Sequence, residues 1–148
     1  MTSPEPGPPP TLLALSTYLL SLTGKTARGR LAERLGERGL RLWHMAVLAA
    51  LADFGPHSQR SLCDRLSVDP SDMAKVVDQL AGAAHVERTR DTADRRRFVV
   101  SITPAGRKAL RALVGEAEAV QDELLAPLSA RERTQLHALL LRVFPPTR

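Results

Sequence analysis

Residues 85–110 read HVERTRDTADRRRFVVSITPAGRKAL, and the pattern of their side chains decides the fold. Side chains alternate in character along residues 86–90, and apolar residues dominate residues 98–102, as expected of two β-strands. The residues between them, 91–97 (DTADRRR), are mostly charged and end in three consecutive arginines. The stretch therefore predicts a β-hairpin with a basic tip.

The residues that follow the hairpin predict two helices. Thr103 can cap a helix that begins at Pro104, because its hydroxyl accepts a hydrogen bond from a free amide of the first turn. Proline suits the first helical position, since an amide hydrogen there would have no partner within the helix. Apolar residues then recur in steps of three and four, a spacing that forms a narrow seam for packing on another helix. This seam consists of Leu110, Leu113, Ala117, Val120 and Leu124. Pro127 ends the helix, and Ser129 caps a last one.

Two short helices are predicted immediately before the hairpin. Ser58 can cap a helix that runs to Leu66. Asp69 followed by Pro70 is a stronger start signal, for a helix that runs to about Ala83. Two short helices joined by a tight turn and followed by a hairpin form a helix-turn-helix with a wing. We therefore predict a mainly α-helical fold with a small β-hairpin wing.

The chain before this motif predicts a tail and two further helices. Residues 1–10 are rich in proline and poor in apolar side chains, so we expect a disordered tail. Helical spacing then runs from Thr11 to Leu35, which predicts one long helix with a bend near Gly24. A second helix is expected over residues 40–54.

Composition narrows the classes of protein that fit. The chain has 148 residues, with 21 Lys and Arg against 16 Asp and Glu, and its net charge of +5 favours a polyanionic partner. Cys63 is the only cysteine, which excludes an intramolecular disulfide and fits a reducing cytoplasm. No apolar run reaches the roughly 20 residues of a membrane span, and the first ten residues do not resemble a signal peptide. We expect a cytoplasmic protein.

The residue pattern supports neither catalysis nor a metal or cofactor site. The four histidines lack the spacing of metal ligands. Neither a Ser, His and Asp grouping nor a Gly-rich phosphate loop stands out. We therefore predict that the protein is not an enzyme and holds no cofactor.

The helix that begins at Pro70 supplies candidate contacts to the major groove of DNA. Its apolar residues should face the core, which leaves short polar and basic side chains free to meet a duplex. The core-facing set is Met73, Val76, Val77 and Leu80, and the candidate DNA contacts are Ser71, Asp72, Lys75 and Gln79. The alternative is that these four residues are only the solvated face of an amphipathic helix.

The hairpin tip supplies candidate contacts to the minor groove. A narrow minor groove has a strongly negative potential that attracts arginine, which fits Arg95, Arg96 and Arg97. Asp94 can hold Arg96 in position through a charge-assisted hydrogen bond. A solvated, charged turn without a partner is the alternative interpretation.

Residues 58–110, and above all HVERTRDTADRRRFVVSITPAGRKAL, resemble the MarR family of bacterial transcriptional regulators. The resemblance rests on an aspartate followed by arginines in the wing, a short strand, and Thr-Pro-Ala-Gly-Arg at the start of the next helix. The flanking helices match that family's layout over nearly the whole chain.

This resemblance implies a homodimer formed by the N- and C-terminal helices. It divides a single domain, residues 11–148, into dimerisation helices at 11–39 and 104–148 and a winged helix-turn-helix lobe at 40–103. It further implies binding to an inverted-repeat DNA operator, usually as a repressor that a small molecule releases.

The resemblance also implies roles for single residues. Asp94 takes the place of the wing aspartate and Arg96 that of the minor-groove arginine, while Ser71, Asp72 and Lys75 fall on positions that face the major groove. One departure is Ala84, where the family usually has glycine. We expect the preceding helix to end differently here, because alanine in a left-handed conformation costs about 1 kcal/mol relative to glycine.

Three further side chains, Trp43, His44 and Cys63, allow both a functional and a structural interpretation. Trp43 and His44 are candidates for a pocket that binds a small aromatic or phenolic effector, because a flat ring beside a hydrogen-bonding group suits such a ligand. The alternative is that Trp43 fills the core and His44 lies at the surface. Cys63 is expected to be partly buried and inert.

Two other functions fit the sequence. In one, the protein is a winged-helix interaction module whose basic hairpin docks on an acidic protein surface. In the other, it is a thiol-based redox sensor that uses Cys63.

Overall fold

A computed structural model describes residues 6–145; residues 1–5 of the expected tail, and residues 146–148, lie outside the described part. The helices and strands follow in the order α1 (Pro10–Leu13), α2 (Ser16–Glu37), α3 (Leu42–Phe54), α4 (Gln59–Leu66), α5 (Pro70–Gly82), β1 (Val86–Arg90), β2 (Phe98–Ile102), α6 (Pro104–Leu124) and α7 (Ala130–Val143). The predicted order of helices around one hairpin is confirmed, with α1 as an additional short turn. None of the helices within residues 6–145 combines the length and apolar character that crossing a bilayer requires.

The first long helix is interrupted at a different place from the one expected. The chain leaves helical geometry at Ala14 and Leu15, where the Leu15 amide donates to the Leu12 carbonyl (3.0 Å) in a tight turn. From Ser16 the helix continues through Gly24 to Glu37. Polar residues do not break a helix by themselves, since its backbone hydrogen bonds are the same whatever the side chain's polarity.

The helix starts that the sequence predicts are confirmed by side-chain caps. Ser58 Oγ accepts from the Ser61 amide (3.0 Å) at α4, and Ser129 Oγ accepts from the Glu132 amide (3.2 Å) at α7. At α5, Asp69 Oδ1 accepts from both the amide and the hydroxyl of Ser71, at 2.7 and 2.6 Å. These bonds lower the pKa of Asp69, because they stabilise its charged form.

The described chain forms two compact units. One comprises residues 29–117 and contains nearly all of the buried apolar side chains. Its core combines residues from α2 to α6 and both strands: Leu35, Val47, Leu48, Ala50, Leu51, Leu62, Val68, Met73, Val76, Val77, Leu80, Val86, Val100 and Leu113. The other unit, within the described part, comprises residues 6–28 and 118–145, and Val120 is its buried apolar residue there.

The hairpin is a two-stranded antiparallel sheet with a third segment at its edge. Val86 pairs with Ile102 at its base, and Arg90 pairs with Phe98 beside the tip. His57, in the loop between α3 and α4, exchanges two backbone hydrogen bonds with Val100, at 3.1 and 2.7 Å. The hairpin is thus fixed to the helix-turn-helix through the backbone.

Helix α5 ends in a left-handed residue, contrary to the expectation at Ala84. Ala84 has a φ of 60°, the His85 amide donates to the Leu80 carbonyl (2.9 Å), and the Ala84 amide donates to the Ala81 carbonyl (3.0 Å). These two bonds form a Schellman motif, which satisfies the last carbonyls of a helix and requires a left-handed residue at this point. The motif therefore forms here although alanine, not glycine, occupies the position.

The segment after α5 is held against the start of α6 by Thr103. Its hydroxyl donates to the Ala84 carbonyl (2.7 Å) and accepts from the Gly106 amide (3.0 Å), and its amide donates to the His85 carbonyl (3.1 Å). A Cβ atom on Gly106 would lie 2.0 Å from the His85 carbonyl oxygen. Gly106 is therefore needed for this close approach, a reason that the Thr-Pro-Ala-Gly pattern alone did not reveal.

Candidate nucleic-acid interface

Helix α5 is amphipathic as predicted. All four residues expected to face the core are buried, and the four candidate DNA contacts, Ser71, Asp72, Lys75 and Gln79, are exposed. Whether they contact DNA stays a prediction.

The exposed residues of α5 divide into two sets. Ser71, Lys75 and Asp78 follow one another at intervals of four and three, so they form one stripe opposite the buried side. Asp72 and Gln79 are seven residues apart and therefore lie on the flank of that stripe. Sequence reasoning missed Asp78, which forms an ion pair with Arg88 of β1.

A chain of hydrogen bonds connects Gln79 to the N-terminus of α3. The Arg41 amide donates to His44 Nδ1 at 2.8 Å, and His44 Nε2 lies 2.6 Å from Gln79 Oε1. His44 is only 1% exposed. The structure thus places His44 in the interior, in contact with the helix that carries the candidate DNA contacts.

The tip of the hairpin is a tight turn built by two aspartates. The Arg97 amide donates to the Asp94 carbonyl (3.0 Å), which closes a β-turn with Arg95 and Arg96 at its two central positions. Asp94 Oδ1 accepts from the Arg96 amide (3.1 Å), and Asp91 Oδ1 accepts from the Ala93 amide (2.9 Å). Aspartates commonly stabilise turns through such bonds to an amide two residues ahead.

The arginine side chains of the tip extend into solvent. The side chain of Arg96 is 95% exposed and that of Arg97 is 70% exposed. Each Nε atom lies 3.9 Å from an Asp94 carboxylate oxygen, which is an ion-pair distance but too long for a hydrogen bond. Asp94 therefore holds Arg96 by its backbone amide, where a bond to the guanidinium group was expected.

Arg90 stabilises the tip and was not identified from the sequence. Its guanidinium Nη1 donates to the Arg95 carbonyl (2.8 Å), and its Cζ lies 5.1 Å from the centre of the Phe98 ring. A cation beside an aromatic ring is favourable. The signal was available, because Arg90 and Phe98 face each other if the hairpin pairs symmetrically about residues 91–97.

The two candidate effector residues are separated in the structure. Trp43 is 42% exposed and lines a groove of about 580 Å³ with residues from the end of α2 and the loop after it. The other lining residues are Ala32, Gly36, Gly39, Leu40, Arg41 and Leu42. His44 does not line this groove, and its Nε2 lies 2.6 Å from Gln79 Oε1. The alternative, with Trp43 in the core and His44 at the surface, is wrong as well. Trp43 lies at the surface and His44 lies in the interior.

Cys63 is partly buried, as expected. Burial raises the pKa of its thiol, and the carboxylates of Asp64 and Asp69 raise it further. Both effects disfavour the thiolate, which is the reactive form of cysteine.

Comparison with known proteins identifies the family. A family model described as the MarR family matches residues 38–97, which include α3, α4, α5, β1 and the wing tip. The crystal structure of a probable transcriptional regulator from Pseudomonas aeruginosa is 30% identical and superimposes over 90% of this chain and 99% of that one, with a TM-score of 0.73. The chain belongs to the MarR family.

Other relatives match over different lengths. The transcriptional repressor NicR of Pseudomonas putida is 31% identical over 97 residues, which are 66% of this chain and 61% of NicR. CouR of Rhodococcus jostii RHA1, solved bound to p-coumaroyl-CoA, is 25% identical over 95% of this chain and 99% of CouR, with a TM-score of 0.73. The alignments span between 59% and 65% of the length of the first three curated relatives.

The family model covers the helix-turn-helix and the start of the wing. The family comparison agrees with the sequence-based assignment of the hairpin as a wing and of α4 and α5 as the helix-turn-helix.

Proposed function

We propose that this protein is a transcriptional regulator that binds duplex DNA as a homodimer in the cytoplasm, and that it acts as a ligand-responsive repressor on an inverted-repeat operator. NicR, a relative that aligns with about two thirds of this chain, is named a repressor. We assign it no catalytic activity or cofactor.

The wing carries the proposal. Arg96 is almost fully exposed at the end of a hairpin whose backbone is fixed by Asp94, Asp91 and Arg90. An exposed arginine on a rigid, narrow support suits insertion into a minor groove. Helix α5 lies in the same compact unit and is joined to the hairpin by the ion pair between Asp78 and Arg88, so both elements can meet one duplex together.

The proposal of a homodimer is supported by the apolar side chains of residues 6–28 and 118–145. Large apolar residues are exposed in this unit, whereas such residues are largely buried in the other. They are Leu13, Leu15, Leu19, Leu20, Leu22, Leu139, Leu140, Leu141, Val143 and Phe144. Exposed apolar patches of this kind usually mark an interface with another chain. The division into dimerisation helices at 11–39 and 104–148 and a DNA-binding lobe at 40–103 remains part of this proposal.

The groove beside Trp43 is our candidate effector site. It offers an indole ring, aliphatic side chains and the Arg41 cation, which suit an aromatic or phenolic molecule that carries negative charge. CouR was solved with a coumaroyl thioester, so a protein of this fold can bind a phenolic ligand.

The test of DNA binding is a titration with operator fragments selected from the genome of the source organism. We expect Arg96→Ala to weaken binding at least about tenfold, while the oligomeric state stays unchanged, because a charge-assisted contact contributes about 1.5–3 kcal/mol. Arg131→Ala on α7, measured as a dimer to the same extent as wild type, is the matched control, since it removes an exposed arginine outside the compact unit of the wing. Equal affinity of wild type and Arg96→Ala would contradict the assignment of the wing.

The two alternative functions predict different results. An interaction module for acidic proteins would give no retarded DNA at any salt concentration, whereas a DNA-binding protein loses affinity steeply as salt rises. A redox sensor would lose its response in Cys63→Ser, but the raised pKa of this thiol argues against it.

A further inference from the structure

The hydrogen bonds around His44 fix the direction in which Gln79 can act. The Arg41 backbone amide can only donate, so His44 Nδ1, at 2.8 Å, must be the acceptor. A neutral imidazole then carries its proton on Nε2. That proton points at Gln79, whose amide oxygen is therefore the atom at 2.6 Å.

The outer end of Gln79 is consequently a donor. An amide offers one oxygen that accepts and one NH₂ group that donates. Because the oxygen is directed toward a side chain that is 1% exposed, the NH₂ group is the end left toward solvent on the flank of α5. Glutamine can read adenine by donating and accepting at once, but Gln79 has no oxygen directed outward for the second bond.

We propose that Gln79 is a specificity-determining residue that donates from its NH₂ group to an acceptor on the duplex, and that His44 is the positioning residue that imposes this orientation. The acceptor is a phosphate oxygen or O6 of guanine, at which adenine carries an NH₂ donor instead. This inference rests on the proposed DNA binding and names the chemistry of one contact within it.

The first test compares Gln79→Ala and Gln79→Glu with wild type on selected operators. Gln79→Ala should lose about fivefold in affinity, the effect of one net hydrogen bond. Gln79→Glu keeps an oxygen for His44 but replaces the outward donor with a carboxylate oxygen, so it should lose more than Gln79→Ala. Lys75→Ala, on the outward stripe, is the positive control for contact by α5.

Selection of bound sequences by each variant distinguishes the two acceptors. If the acceptor is a phosphate, Gln79→Ala weakens all sequences equally and the selected consensus is unchanged. If it is a base, the variant loses its preference for guanine over adenine at one position of each half-site, and 2-aminopurine, which lacks O6, weakens wild type at that position but not Gln79→Ala. Loss of a preference for adenine would overturn the proposal, since that contact needs the amide oxygen.

The positioning role of His44 has its own measurement. Nitrogen NMR of the histidine rings should show the proton of His44 on Nε2, and a proton on Nδ1 would overturn the assigned direction. His44→Phe releases the Gln79 oxygen. If Gln79 contacts a base, the variant should bind operators with adenine at the position where wild type requires guanine. If Gln79 contacts a phosphate, the selected consensus should stay the same. Because His44→Phe changes a buried residue, the surface variants of Gln79 test the proposal independently of its folding.

The outcomes separate this inference from the proposed function. If wild type and Lys75→Ala differ in DNA binding while wild type and Gln79→Ala do not, the inference is wrong and DNA binding stands. If wild type binds no DNA, both are wrong.

Discussion

Ala84 adopts a left-handed backbone at the end of α5, because the two Schellman hydrogen bonds to Leu80 and Ala81 require it. Alanine in this region carries a steric cost that glycine avoids. We expect Ala84→Gly to raise the free energy of unfolding by about 1 kcal/mol, measured by urea denaturation. Ala83→Gly is the control, because Ala83 has a φ of −86° and glycine there only adds freedom to the unfolded chain. Equal effects of the two changes would contradict the assignment of strain to Ala84.

Cys63 gives a prediction about pH. Since burial and two carboxylates raise the pKa of its thiol, the thiolate fraction at neutral pH is below that of a free cysteine. Alkylation of the folded protein should therefore be slower than that of a small thiol at pH 7, and its rate should rise at higher pH. Asp64→Asn removes one of the carboxylates and should shift the rate profile back toward lower pH. If Cys63 is alkylated at pH 7 as fast as a small thiol, the result would contradict this prediction and support the redox hypothesis.

The start of α6 depends on a missing side chain. Gly106→Ala would drive a methyl group into the His85 carbonyl, which is backbone and cannot rotate away. We expect a loss of about 3 kcal/mol in the free energy of unfolding, which outweighs the gain of about 1 kcal/mol from placing alanine in a helix. Gly82→Ala in α5 meets nothing within 4 Å and should be neutral or stabilising. A stable Gly106→Ala protein would show that the contact between α6 and the end of α5 is not close.

The caps and the apolar periodicity explain how far the sequence predicts these elements. The capping side chains accept hydrogen bonds from amides in the first turn of the helix that each begins, so local sequence is sufficient to predict them. They are Ser58, Asp69, Thr103 and Ser129. The bonds between His44 and Gln79 join residues 35 positions apart, and no local pattern reveals them. Adjacent residues on a helix point in directions about 100° apart, and Trp43 accordingly lies at the surface while His44 lies in the interior beside Gln79.

The apolar surface of residues 6–28 and 118–145 leads to a prediction for the entire protein. Leu141→Glu places a charge on a side chain that is 63% exposed in the single chain, and it should weaken dimerisation at least about tenfold. Phe54→Glu is a matched control, because Phe54 is 62% exposed but belongs to the other compact unit. Analytical ultracentrifugation over a range of concentrations measures both. If Leu141→Glu remains as dimeric as wild type, this part of α7 lies outside the interface.

The fold of the winged lobe could be predicted because its core is complete within one chain. The proposal that a second copy covers the other unit came only from the resemblance. Apolar residues such as Leu113 and Leu80 are buried against neighbours that the same sequence supplies. Leu139 and Phe144 lack such neighbours, and a sequence pattern does not say what covers them.

At the hairpin tip, the atoms that set the shape of the turn are distinct from the atoms that reach outward. Asp91 and Asp94 use their carboxylates on backbone amides, and the hydrogen bonds that close the loop do not use the guanidinium groups of Arg95 and Arg96. Residues at these two positions can therefore change during evolution without remodelling the support that carries them. If the tip contacts DNA as proposed, a lineage could alter its preferred sequence by exchanging two side chains on an unaltered scaffold.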